Sequence, residues 1–200
     1  MNSLASEATL RECATLIGYD FGDIALLRLA LTHSSYSAEH ADEPSNERLE
    51  FLGDAVVGLA LAEEMFRRHP EFDEGLLTDL RKSVVNAQTL AVAARRLGIG
   101  RFIRLGRGEQ NGGGAEKTSI LANAFEAIIG AVFMDAGGQV AHELSLRLLA
   151  PEIAGAVPIG GDEVTVLGQS AAATDPDSTL SFGWILGFSI LGGLLLNLMP

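Results

Sequence analysis

Three acids, Glu47, Glu50 and Asp54, stand in the stretch ERLEFLGD at 47–54, inside a run that continues Ala55-Val56-Val57-Gly58-Leu59-Ala60. At about 100° per residue they fall within roughly 60° of one another on one face of a helix. Acids on a helix usually mark its solvated side, which predicts polar neighbours on the same face. The neighbours here are Phe51, Gly58, Leu61 and Ala62, so the solvated-side explanation loses its footing. The anomaly recurs between Ile120 and Met134, where the only polar side chains are Asn123 and Glu126, three residues apart and so on one face.

Carboxylates held together out of water repel and take up protons unless a positive charge lies among them. Two remedies are open: a structural ion pair, for instance to Arg48, or a bound divalent cation. Asp, Glu and an Asn carbonyl are hard oxygen donors that suit Mg²⁺ or Mn²⁺, and the absence of paired Cys or His near them argues against zinc. Mg²⁺ held by carboxylates while keeping water positions open is the machinery of phosphodiester hydrolysis.

The elements that must position these residues are helical. Three- and four-residue apolar spacing predicts short helices over 5–17 and 23–31. A loop at 33–45 precedes a cap at Ser45 or Asn46 and a long helix to about His69, stopped by Pro70. A further long helix is expected from Leu76 to Leu97, then a mobile glycine-rich loop, RFIRLGRGEQNGGGAEK, at 101–117. A very apolar helix follows from Thr118 to Ala136, ended by Gly137-Gly138, and another from Val140 to Leu149. With no alternating strand pattern before residue 160, the fold class is all-α.

The formal charge of −12 speaks against a nucleic-acid partner until its distribution is examined. All 14 basic residues lie within 1–150 beside 21 acids, a balance of −7, whereas 151–200 hold five acids and no base. Cys13 is the only cysteine and nothing resembles a secretory signal, so the expected location is the cytoplasm.

NERLEFLGDAVVG (46–58) resembles the signature of the ribonuclease III family of double-stranded-RNA endonucleases. The similarity extends through LTHSSY (31–36), EGLLTDLRKSVVNAQTLA (74–91) and LGRGEQNGGGAEKTSILANAFEAIIGAVFMDAGG (105–138), and covers about residues 8–150. It implies an all-helical endonuclease domain at 1–150 acting as a homodimer on double-stranded RNA. The implied reaction uses Mg²⁺, with Mn²⁺ able to substitute, and leaves 5′-phosphate and 3′-hydroxyl ends in the processing of ribosomal and other structured RNA. By the same resemblance Glu50, Asp54, Asn123 and Glu126 are the metal ligands, Asp54 and Glu126 the catalytic acids, and Glu47 and Glu74 lie near the site. Asn123 stands where many members have Asp; the amide still offers an oxygen but removes one negative charge. Phe51 matches an apolar knob that packs into the partner subunit, although an ordinary core position would explain it equally well. A non-cleaving RNA-binding or assembly protein on the same fold is the alternative that the amide at 123 permits. No small-molecule cofactor is required.

GGGAEKTS looks like a phosphate-binding loop, but Glu116 precedes Lys117 and no strand leads into it. His33, His40, His69 and His142 are scattered and read as surface or capping residues. Arg81, Lys82, Arg95, Arg96, Arg101, Arg104, Arg107 and Lys117 form a basic surround in which phosphate contacts are available. Where the resemblance implies a double-stranded-RNA-binding domain, the composition turns to Gly, Ala, Pro, Ser and Asp, a linker at 151–179. Residues 180–199 then run uncharged for the length of a bilayer crossing, which makes 180–200 either a membrane anchor or an aberrant ending.

Overall fold

The two helices that carry the acids cross at a point where neither has a side chain. The computed structural model describes residues 7–159 and 163–166, which form an all-α domain followed by one short pair of strands. In chain order the helices are α1 (Glu7–Ile17), α2 (Ile24–Ala30), α3 (Ser34–Glu39), α4 (Glu47–Arg68), α5 (Glu74–Val84) and α6 (Ala87–Arg96). They continue with α7 (Arg107–Asn111), α8 (Thr118–Ala136), α9 (Gly138–Leu148) and α10 (Ala150–Gly155). The apolar stretch 180–199 lies outside the described residues.

α8 is the centre of the domain. From Ile120 to Val132 every residue is buried except Asn123 and Glu126, which are half-buried. Each large side chain enclosed here, such as Leu121, Phe125 and Ile128, contributes about 1.5–3 kcal/mol by leaving water. By length and apolarity alone α8 could cross a membrane, but it is mostly enclosed by the rest of the domain. α2, α4, α6 and α9 pack around it.

α4 starts at Asn46, as the cap signal predicts, yet the Asn46 side chain does not cap it. Its Nδ2 donates to the Ala30 carbonyl (3.1 Å) and its backbone N–H to the Thr32 carbonyl (2.8 Å), which ties the start of α4 to the end of α2. Glu47 and Glu50 in the first turn and Arg67 and Arg68 in the last complement the helix dipole. Pairs Glu63–Arg67 and Glu64–Arg68 brace the exposed end.

Several features differ from the expectations. The helix expected over 76–97 is broken at Asn86, whose Oδ1 caps α6 by accepting from the Thr89 N–H (3.0 Å) while its Nδ2 donates to the Lys82 and Ser83 carbonyls at the end of α5. The expected loop at 33–45 contains α3, with His33 as its cap. The segment expected as a mobile loop is closely built: 3-10 turns at Ile99–Phe102 and Gly114–Glu116 flank α7, and Lys117 pairs with Glu109 at 3.0 Å. Arg104 in that segment is 3% exposed, bonded to Thr32 and Glu43 and lying 4.1 Å above the Tyr36 ring.

Beyond residue 150 the chain remains structured. Glu152, 6% exposed, pairs with Arg96 at 3.0 Å, and Ile153 is buried. The strands β1 (Ala156–Ile159) and β2 (Glu163–Val166) then pair antiparallel with Ala156 opposite Val166, inside the stretch expected as linker.

Candidate active site on helices α4 and α8

Gly53 and Gly130 allow α4 and α8 to touch backbone to backbone. A Cβ built at Gly53 would lie 1.8 Å from the Glu126 carbonyl oxygen, and one at Gly130 would lie 2.1 Å from the Leu49 carbonyl oxygen. Only glycine permits this approach, and it sets the facing turns Glu50–Asp54 and Asn123–Glu126 on either side of the crossing. The glycines carry no chemistry, so composition draws no eye to them; the usable signal is a glycine close in rotation to an acid, Gly53 about 60° from Glu50 and Gly130 about 40° from Glu126.

The carboxylates lie close enough to act on one another's ionisation. Burial, and then the charges of Asp54 and Glu50, push the Glu126 carboxyl up to about 8. Burial, and then Glu47 and Asp54, push Glu50 up to about 7. Partial burial raises Asp54 as well, at the outer edge of the group, against the Arg81 guanidinium, which favours its charged form. Glu47 therefore belongs to the cluster as an exposed outer acid. Glu74 stands apart, exposed in the first turn of α5, where its Oε1 accepts from the Thr78 hydroxyl at 3.2 Å.

Among the described residues no hydrogen bond or ion pair reaches the side chains of Glu50, Asp54, Asn123 or Glu126. Arg48 is exposed and pairs with none of them, so the structural ion pair considered from the sequence is not formed. Among the described residues, no three acids, His or Cys close around a single point, and the carboxylates meet as an open cluster. Three unpartnered carboxylates, two of them half-buried, beside a neutral amide oxygen fit a hard divalent cation and not zinc.

Phe51 is 80% exposed, which overturns the core reading. Along α4 it shares an exposed side with Ala55, Leu59 (68%) and Phe66 (70%), all within about 80° of rotation. A contiguous apolar stripe of this kind marks an interaction surface. The histidines have structural roles. His33 Nδ1 accepts from the Ser35 N–H, His40 stacks on Tyr36, His69 stacks on Phe72, and His142 pairs with Glu63 at 2.9 Å.

This arrangement has known relatives. A family model described as Ribonuclease-III-like matches residues 23–153. Ribonuclease 3 of Thermobifida fusca is 48% identical over 175 residues, which cover 86% of this chain and 72% of that protein. Ribonuclease 3 of Mycobacterium tuberculosis is 49% identical over 162 residues, covering 78% of this chain and 67% of its own length. The nuclease domain of ribonuclease III from Campylobacter jejuni, whose region involved in dimer formation shows structural flexibility, superposes with a TM-score of 0.67 at 42% identity. That match covers 70% of this chain and 95% of the other. With the acid cluster on crossing helices and the family model spanning most of the helical domain, the chain belongs to the ribonuclease III family of endoribonucleases.

Proposed function

We propose that the chain is a Mg²⁺-dependent endoribonuclease that cuts double-stranded RNA to 5′-phosphate and 3′-hydroxyl ends as a cytoplasmic homodimer, with Mn²⁺ able to substitute. Its substrates are ribosomal and other structured RNA precursors. The observation that carries this reading is the cluster of half-buried Glu50 and Glu126 with Asp54 at its edge, all raised in pKa and, among the described residues, with no cation paired to Glu50 or Glu126. Glu50, Asp54, Glu126 and the Asn123 amide oxygen are the four donors available to the metal. When bound there, Mg²⁺ supplies Lewis-acid activation of water and neutralises charge developing on the phosphate.

The protein groups contribute position. The glycine crossing fixes the spacing of the donors before any ligand arrives, so little reorganisation is left for the reaction itself. Glu47 stands at the border of the site as an outer acid. The stripe from Phe51 to Phe66 supports self-association, because two copies can cover each other's apolar side by a two-fold axis.

The test is incubation of the purified full chain with a labelled RNA duplex in Mg²⁺, beside Glu126→Gln. Cleavage that disappears in the variant, with ends that accept ligation as 5′-phosphates, is the expected result. Cleavage unaffected by the substitution contradicts the site, and binding without cleavage even in Mn²⁺ favours an RNA-binding role.

A further inference from the structure

Arg81 lies beside the acid cluster without being engaged by it. Buried Leu80 and Val84 fix the roll of α5, and this helix packs against α4. Arg81 follows Leu80 at the edge of that buried face and is half-buried. On the helical wheel it shares a side with Glu74 and Thr78, at about 20° and 60° from them. No hydrogen bond or ion pair to a described residue holds its guanidinium. Its charge nevertheless acts on Asp54, and among the described residues it is the only cation that acts on the raised acids of the cluster. Its neighbour Lys82 is exposed and makes a long 3.9 Å contact to Asp79.

A half-buried guanidinium with no fixed partner is a donor fork available to an anion. The acids themselves are ligands for a cation, so the anion that fits beside them is the one the cation would also touch. We propose that Arg81 is a phosphate-positioning residue, which grips a non-bridging oxygen of the RNA phosphate lying over Glu50, Asp54 and Glu126. The proposal rests on the nuclease reading above. Placed there, Arg81 orients the phosphodiester for attack and offsets the charge that builds on its oxygens.

The experiment compares the full chain with Arg81→Ala, Arg81→Lys and Lys82→Ala. Single-turnover cleavage of a labelled RNA duplex is read at saturating protein, and Mn²⁺ binding is read separately by electron paramagnetic resonance without RNA. Arg81→Ala is expected to slow cleavage about 100-fold, the scale of one lost transition-state donor, and Arg81→Lys to regain about tenfold of it as a point charge. Lys82→Ala is expected to stay within about threefold of the unsubstituted chain. Mn²⁺ affinity should be unchanged or tighter in Arg81→Ala, since a positive charge has been removed from the centre. Circular dichroism checks that each variant is folded, and Arg81→Lys keeps the test alive if the alanine variant is not. If Arg81→Ala cleaves duplex RNA as fast as the unsubstituted chain, this proposal alone is overturned. A loss of cleavage that comes with a loss of Mn²⁺ binding overturns it too, being the mark of a merely structural arginine. An unsubstituted chain that cleaves no duplex in Mg²⁺ or Mn²⁺ overturns the nuclease reading and this proposal with it.

Discussion

A side chain at Gly53 would put its first carbon 1.8 Å from the Glu126 carbonyl oxygen, so the residue next to Asp54 sets the distance between the two acid-bearing helices. Gly53→Ala should destabilise the domain by about 1–3 kcal/mol through overpacking, although alanine is otherwise the better helix former. Gly130→Ala should behave alike, because its new carbon meets the Leu49 carbonyl at 2.1 Å. Urea unfolding checks the stability, and a Mn²⁺ titration of whatever remains folded should show weakened binding.

The acids of the cluster make stability pH-dependent when metal is absent. Glu50 and Glu126 have folded pKa values raised to about 7 and about 8. Such groups cost nothing below the ordinary carboxylate range, destabilise the fold increasingly as pH rises from that range to the raised values, and add no further loss above them. The melting temperature in a chelator should therefore fall between about pH 4.5 and about pH 8 and level off above, and Glu126→Gln should flatten the curve. Excess Mg²⁺ should restore the loss at high pH, because a ligand that binds only the folded state stabilises it.

Asn123 is neutral and stands one turn before Glu126 on α8. Asn123→Asp adds an anionic oxygen one turn from Glu126 and should tighten Mn²⁺ binding by about tenfold, as read by calorimetry. The same variant should melt at a lower temperature in chelator, since a further like charge is enclosed without a partner.

The stripe on α4 should be covered by a second copy of the chain. Each Phe51 removed from water contributes about 1.5–3 kcal/mol, and a two-fold seam contains the residue twice. Phe51→Asp should give monomers at concentrations where the unsubstituted chain sediments as a dimer. Leu59→Asp and Phe66→Asp, on the same side of the helix, test how far the seam extends.

Arg104 anchors the segment before α7 to Thr32, to the Tyr36 ring of α3 and to Glu43 beyond that helix. Glu43→Ala would leave this buried guanidinium without its carboxylate partner, at a cost of about 3 kcal/mol in urea unfolding.

Much of this is legible in the sequence because the signals are local. The acids at Glu47, Glu50 and Asp54 and the pair Asn123 and Glu126 betray themselves by sitting among apolar neighbours on a helix face. The ends of α4 and α8 follow from Pro70 and Gly137. What escapes depends on groups distant in sequence or on a single side chain working in two directions. Asn86 breaks a helix that periodicity runs straight through, because one amide closes α5 and opens α6. Glycines at 112–114 suggest looseness, yet Gly114 is pressed against Glu109 and Gly100 against the Ala115 carbonyl, contacts that only the folded chain creates. Phe51 is ambiguous in sequence for a related reason. A core position and an exposed interface demand the same side chain, and only its exposure separates them.

The most direct measurement is an anomalous difference map from crystals of the full chain soaked in Mn²⁺. The account predicts a peak between α4 and α8, within ligand distance of Glu50, Asp54 and Glu126, that is absent in Glu126→Gln. A peak elsewhere, or these three side chains turned apart with no ion between them, would contradict it.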